Sequence, residues 1–447
     1  MDIERARDYV ADRLREHHTR RWEIFTSASD MFGVEVKKGE VDSLKAARAV
    51  GLSVRVLDDA RLGFAYSTSF EPDALAGLVE SALAAARATE PDEHLQLAPA
   101  LGAMPGLPLV DAGLALVPRA EKIEAARRLE AACLGFDPVV KRVRTAAYSE
   151  TTTEVAIRNS EGLDAHYRRT GASTSVLALA EDPSGNQTGW EFDFGLGFAD
   201  LDFESVGRRA AERAKALLGA KKVKTARCPV VIENGAVTDL LGVLSSSFLA
   251  SNVQRGKSML ARRLGEQAMS PAVTIVDDGL LPRGAATAPF DDEGVVQQTT
   301  ELVAGGVVRE FLFDLYTAHK AGGGRASTGN ASRAGVKGPP GVGTTNLLVR
   351  PGEKSLEELL AEMGEGMLLT DFMGIHTANP ISGDFSVGAS GFWVKGGVVV
   401  HPVTGVAVAG NILQMFADVV EAGSDLRMFG ATGAPSLLVK MLSISGD

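Results

Sequence analysis

Thr153-Glu154-Val155-Ala156-Ile157-Arg158 alternates between two kinds of side chain, and Asn159-Ser160-Glu161-Gly162 follows it as a cluster of turn residues. Period two sends Val155 and Ile157 to one face of an extended chain and Glu154, Ala156 and Arg158 to the other, the pattern of a half-buried strand in an antiparallel sheet. The surrounding stretch from Val139 to Phe198 repeats that character and reads as an antiparallel meander. Working outward, a helix is expected from Asp202 to Leu218, with the Asp202 carboxylate as its cap. On the other side a helix follows Pro118 through Cys133. Another runs from Pro72 to Thr89, with proline in its first turn and Leu75, Leu78, Val79, Ala82, Leu83 and Ala86 inward. Residues 2–18 set Ile3, Ala6, Val10 and Leu14 on one stripe of an amphipathic helix. Between these helices lie short alternating runs at Glu23 to Thr26, Gly33 to Lys37, Leu52 to Leu57 and Leu62 to Tyr66, the last two joined by a hairpin turn at Asp58-Asp59-Ala60-Arg61.

A linker is expected at Gly219-Ala220-Lys221-Lys222-Val223-Lys224, which places an N-terminal α+β domain at 1–225 and a second domain at 226–447. The second half opens with a strand from Pro229 to Glu233, a turn at Asn234-Gly235 and a helix from about Ala236 to Ala250. Strands and glycine-rich loops then dominate, with one further helix at Ser355 to Glu365. Glycine makes up 49 of 447 residues, about 11% against a usual share of roughly 7%. Most of the excess lies after Gly235, in keeping with turn-rich β structure. The fold class is therefore α+β, with a helix and antiparallel-sheet domain followed by a β-rich, barrel-like one.

Composition narrows the functions. The net charge is −11 and neither half is basic, so a nucleic-acid partner has no electrostatic footprint. The N-terminus Met1-Asp2-Ile3-Glu4-Arg5 lacks an apolar core and does not read as a secretory signal. The greasiest stretch, Gly235 to Ser251, is too short and polar to span a bilayer; the expectation is a cytoplasmic protein with no membrane partner. Cys133 and Cys228 form no CxxC, and Cys133 reads as a small core residue. Gly256-Lys257-Ser258 lacks the earlier glycine of a phosphate-binding loop, and Gly388-Ala389-Ser390-Gly391-Phe392 lacks the last glycine of a nucleophile elbow.

Three further segments belong together: Pro289-Phe290-Asp291-Asp292-Glu293-Gly294; Tyr316-Thr317-Ala318-His319-Lys320 with Ser327-Thr328-Gly329-Asn330; and Ile381-Ser382-Gly383-Asp384-Phe385-Ser386-Val387-Gly388-Ala389-Ser390-Gly391-Phe392-Trp393. Their order and wording resemble the TldD/PmbA family, specifically its PmbA (TldE) branch. Val34 to Leu44, Gly51 to Val56, Ala409-Gly410-Asn411-Ile412-Leu413 and Gly433-Ala434-Pro435-Ser436 are similar to other family landmarks, so the resemblance covers nearly the whole chain.

In the TldD branch a helix carries His-Glu-x-x-x-His and a later Gly-Cys-Ser supplies a third ligand. Such a set holds Zn²⁺ with an open position while the glutamate takes a proton from bound water. Laid on that pattern, Leu241 and Ser246 stand where the histidines would be, Gly242 where the glutamate would be, and Ala389 replaces the cysteine. No catalytic residue and no metal ligand is therefore assigned. The seven histidines show no ligand spacing; His376 alone is kept as a polar group in a cleft, beside the reading that it is structural or exposed.

The resemblance implies a subunit of a heterodimeric metallopeptidase acting on unfolded or extended peptides. Its TldD-type partner would carry the zinc, while this chain, with no cofactor of its own, completes the chamber and positions substrate. A homodimer in isolation remains open. So does a different class, a non-enzymatic homo-oligomeric binding protein of the DNA gyrase modulator type.

Candidate contacts to substrate or partner are Asp291, Asp292, Glu293, Arg325, Thr328, Asn330, His376, Asp384, Phe385 and Ser386. Three readings of the acidic run 291–293 stay open: a turn whose acids face solvent or cap backbone amides, a site for a hard cation, or a partner contact. Residues 315–352 carry Lys320, Arg325, Arg333, Lys337 and Arg350 with no acid, and read as a solvated loop or as a gate that grips an acidic chain.

Overall fold

The structure, a computed structural model, describes residues 1–446. Its N-terminal part is one six-stranded antiparallel sheet with helices on one face. The strands are β1 (Arg21–Lys37), β2 (Glu40–Asp58), β3 (Arg61–Ser67), β4 (Val140–Asn159), β5 (Asp164–Asp182) and β6 (Gly185–Gly195). Their order is β3-β2-β1-β4-β5-β6, and the sheet curls into a half-barrel. The two short runs expected between Glu23 and Lys37 are one strand, because β4 supports β1 continuously from Glu23↔Asn159 to Val36↔Ala146. The meander and the hairpin at 58–61 stand where the alternation placed them.

Period two divides the sheet. Trp22, Ile24, Leu52, Val54 and Val56 pack under α1 (Ile3–Glu16) and α2 (Pro72–Ala88). Phe32, Val34, Tyr148, Val176 and Ala178 pack under α3 (Arg119–Leu134) and α4 (Phe203–Ala216). Asp202 caps α4 as expected, accepting a hydrogen bond from the Ser205 amide at 3.0 Å. The alternate residues line the opposite, inner face, whose middle stretch carries short hydroxylated side chains, Ser27 and Ser29 on β1, Thr151 and Thr153 on β4, Ser173 and Ser175 on β5, beside larger ones such as Phe25, Ile157 and Arg169.

The C-terminal part contains a closed five-stranded barrel. Its strands run in the order Val398–Asn411, Asp384–Lys395, Glu365–Met373, β7 (Ala226–Ile232) and Leu437–Ser445, and Ala407–Ala409 pairs back onto Ser443–Ser445 to close the ring. A second six-stranded sheet includes Ile275–Asp278, Thr299–Ala304 and Leu347–Val349. One apolar cluster joins Val230, Ile232, Met367, Ala389 and Val408 to Leu240, Leu241 and Leu244 of α5 (Asn234–Ser245).

Two expectations around α5 need correction. Asn234-Gly235 is its first turn rather than a separate β-turn, and the helix stops at Ser245 instead of reaching Ala250. The Ser245 and Ser246 hydroxyls turn back onto the carbonyls of Gly242 and Val243, at 2.6 and 3.2 Å. Such local bonds compete with the helical ladder, and a 3₁₀ turn over Ser246–Phe248 follows.

Candidate functional site

Glu23, from β1, sits between two guanidiniums: Arg55 of β2, with Nη2 at 2.7 Å, and Arg333. Arg55 reaches on to Glu293 Oε1 at 2.9 Å, and Glu293 Oε2 accepts the Leu315 amide at 2.9 Å. All four side chains are essentially buried. Burial opposes ionisation of Glu23, but the two arginines outweigh it and hold its carboxyl below the ordinary range. For Glu293 burial wins over Arg55 and its carboxyl is pushed up.

The neighbouring acids are used the same way. Asp291 accepts the amides of Glu293, Val295 and Ala331, each at 2.9 Å, and burial pushes its carboxyl well up. Asp292 accepts the Arg333 amide at 2.7 Å. The acidic run therefore caps backbone amides and does not face solvent. An unsatisfied buried amide is costly, and a carboxylate is the strongest acceptor the chain can offer it.

The Ser327-to-Asn330 segment is built into the same region. Asn330 donates to Asp277 Oδ1 at 2.8 Å and accepts from Thr328 Oγ1 at 2.7 Å, while Thr328 also takes the Phe313 amide. Arg333 is wholly buried against Glu23 and Phe25, so 315–352 is not a freely solvated loop. Arg325 pairs with Glu310 at 2.7 Å over the Phe313 ring.

Asp384, Phe385, Ser386 and His376 lie elsewhere. Asp384 accepts from Asn411 at 2.9 Å and Ser382 at 2.8 Å, in that order of effect on lowering its carboxyl. Phe385 is buried against Phe372; Ser386 and His376 are exposed. The candidates therefore fall apart: Asp291, Asp292, Glu293, Thr328 and Asn330 are largely buried around the junction of half-barrel and C-terminal part, Arg325 is exposed beside Glu310, Asp384 to Ser386 start the barrel strand Asp384–Lys395, and His376 sits in the turn Ile375–Thr377 before it.

Of the residues that the sequence pattern set against the TldD-type zinc ligands, Leu241 is fully buried in the core, and a Cβ on Gly242 would meet open space. The Ser246 hydroxyl is spent on Val243, and Ala389 is a buried methyl between Phe372 and Val406. These residues offer no imidazole, carboxylate or thiolate, so they do not fit zinc. Among the described residues no three His, Cys, Asp or Glu side chains converge as donors.

Sequence reasoning missed Asp239, on α5, which faces Asp371 of the adjoining strand. Desolvation, then the charge of Asp371, pushes its carboxyl up to about 6. Two lone acids more than a hundred residues apart carry no local signal.

It also missed the difference between the sheet edges. On β6 the amides of Phe192 and Phe194 are taken by the carboxylates of Glu191 and Asp193, at 2.9 and 3.0 Å, and the Phe192 carbonyl by Arg427. On β2, Glu40 to Val50 pairs with β1 alone, since β3 reaches only from Leu52 to Asp58. The β6 edge is blocked at Phe192 and Phe194, and the β2 edge from Glu40 to Val50 is open.

Comparison with known proteins places these features. The patterns of the PmbA/TldA metallopeptidase domain 1, central domain and C-terminal domain match residues 22–86, 113–218 and 225–446. The chain is 30% identical over 430 residues to Metalloprotease PmbA of Escherichia coli O157:H7, covering 95% of this chain and 92% of that protein. It is 30% identical to a metalloprotease of Methanothermobacter thermautotrophicus, covering 96% and 90%. A crystal structure from Thermotoga maritima, described as a modulator of a DNA gyrase, superimposes with a TM-score of 0.91 at 30% identity, over 99% of this chain and 100% of that one. TldE from Thermococcus kodakarensis shares the fold, with a TM-score of 0.90 at 23% identity over 98% and 100%.

Proposed function

The chain belongs to the TldD/PmbA family, on its PmbA (TldE) branch, and on that premise we propose that it is the zinc-ligand-free subunit of a heterodimeric metallopeptidase. Its TldD-type partner carries the metal and cleaves an extended peptide; this chain encloses and positions that peptide. The observation that carries the reading is the chemistry at Leu241, Gly242, Ser246 and Ala389, which leaves nothing to activate water. With no metal-bound hydroxide and no activated nucleophile, the contribution of this chain is orientation and exclusion of solvent.

Two features support a holding role. The inner face of the half-barrel presents short hydroxylated side chains, Ser27, Ser29, Thr151, Thr153, Ser173 and Ser175, which offer hydrogen bonds without shape selection. The open β2 edge at Glu40 to Val50 offers a row of main-chain donors and acceptors to an added strand, and such pairing tolerates many sequences.

The test is to assay this chain, a TldD-type partner and their mixture on an unstructured peptide, with and without a chelator. The expected result is no cleavage by this chain, and chelator-sensitive cleavage by the mixture well above that of the partner alone. Chelator-sensitive cleavage by this chain on its own, or a mixture no faster than the partner, overturns the proposal. A stable homo-oligomer that ignores the partner would favour the non-enzymatic binding class.

A further inference from the structure

Arg169 lies on β5 among the inner-face residues, half buried, where the sheet meets the segment around Gly284. Its Nη2 donates to the Gly284 carbonyl at 3.1 Å, and among the described residues no carboxylate pairs with it. Desolvation lowers its affinity for a proton, and the only other influence is the nearby Tyr167. A guanidinium taken partly out of water without a counter-charge is costly.

It opens onto a hollow of about 200 Å³ whose lining includes Ser149, Thr151, Ser173, Phe194 and Arg283. The other charges there are answered. Arg283 pairs with Asp200. Glu150, which also borders the hollow, gives one oxygen to Lys122 Nζ at 2.6 Å and the other to Tyr148. The Ser149 and Ser173 hydroxyls bond each other at 2.9 Å and keep acceptor and donor capacity for a guest.

We propose that this hollow is a carboxylate subsite: Arg169 binds an acidic group of the extended peptide, with the serine and threonine hydroxyls beside it and the Phe194 ring against the neighbouring residue. The inference rests on the peptide-holding role proposed above. It adds a preference to a face that otherwise selects little. A planar guanidinium meets a carboxylate through two parallel N–H donors, and lysine cannot reproduce that fork. An acidic side chain and a C-terminal carboxylate present the same chemistry.

The experiment measures binding of labelled, uncleaved peptides to the full-length chain by fluorescence anisotropy. One peptide carries a single internal Glu with an amidated C-terminus, one carries Gln instead, and one has Gln with a free C-terminal acid. Binding of the Glu peptide about 10- to 100-fold tighter than the Gln amide is expected, and Arg169→Met should erase that difference while Arg169→Lys restores only part of it. If the free acid gains in place of the Glu peptide, the subsite reads the C-terminus instead of a side chain; either gain supports it. Equal binding of all three peptides, or a preference that survives Arg169→Met, overturns the subsite and leaves the holding role intact. Absence of binding by every peptide, alone and with the partner, overturns both. The peptide-side substitution keeps the test decisive even where Arg169→Met folds poorly.

Discussion

At the scale of single residues, Arg55 ties distant parts of the chain together. It joins a strand acid, Glu23, to a turn acid, Glu293, 270 residues away in the chain. Removing one partner of a buried ionic cluster leaves the others charged and unpaired, which typically costs about 3–5 kcal/mol. Arg55→Met is expected to lower stability by that order, read as a fall in the unfolding midpoint, with a loss of contact between the half-barrel and residues 290–333.

Asp239 has the opposite sign. Its folded carboxyl is pushed up to about 6 from the ordinary 3.8, so the native state binds a proton more tightly than the unfolded chain. Ionisation therefore penalises folding: the penalty is absent below about pH 3.8, grows up to about pH 6 and is constant above. Asp239→Asn should raise the unfolding midpoint at pH 8 and have no such effect at pH 3.5. An equal gain at both values would mean that charge is not the cause.

Elements meet at glycines chosen by contact. A Cβ on Gly189 of β6 would lie 2.2 Å from the Ala210 carbonyl and 2.4 Å from the Ala214 amide, so α4 approaches that strand only because the side chain is missing. Gly189→Ala should cost about 1–3 kcal/mol by forcing helix and strand apart. Gly242 on α5 has nothing within 4 Å of the same position, and Gly242→Ala should stabilise by up to about 1 kcal/mol through helix propensity. Urea unfolding of the two variants gives the comparison; shifts of the same sign would contradict the packing argument. Much at this scale was legible beforehand. The α4 cap, the proline start of α2 and the hairpin at 58–61 follow from local chemistry, whereas the end of α5 depended on serine hydroxyls choosing the helix carbonyls over solvent.

For the whole molecule the proposal is that a protease-shaped chain acts without a metal of its own. The four zinc-site counterparts supply no donor, and a structural zinc contributes about 10–16 kcal/mol only through three or four ligands. The purified chain should retain far less than about one zinc per chain after dialysis against a chelator-free buffer, checked by elemental analysis. Mixed with a TldD-type partner and peptide, the outward amides of Glu40 to Val50 should gain hydrogen-exchange protection, while those of Phe192 and Phe194 on β6, already bonded to Glu191 and Asp193, should change little. Protection confined to β6 would locate the added strand at the wrong edge.

The sequence by itself determined most of the strand-and-helix order of the N-terminal part and its antiparallel pairing, because period-two alternation, caps and turn residues act over a few neighbours, whereas the curl of that sheet into a half-barrel came from the tertiary structure. It also determined what stands at residues 241, 242, 246 and 389, since the side chains present are a matter of spelling. Only the tertiary structure decided the role of the acidic run 291–293. In a Gly-flanked turn, solvent-facing, amide-capping, cation-binding and partner-contacting acids read alike until Arg55, Arg333 and the amides of Val295 and Ala331 are brought around them, and those partners come from three separate stretches. The same holds for Arg169. Its sequence neighbours, Arg168 and Thr170, say nothing of a missing counter-charge, which is a property of everything that packs near it.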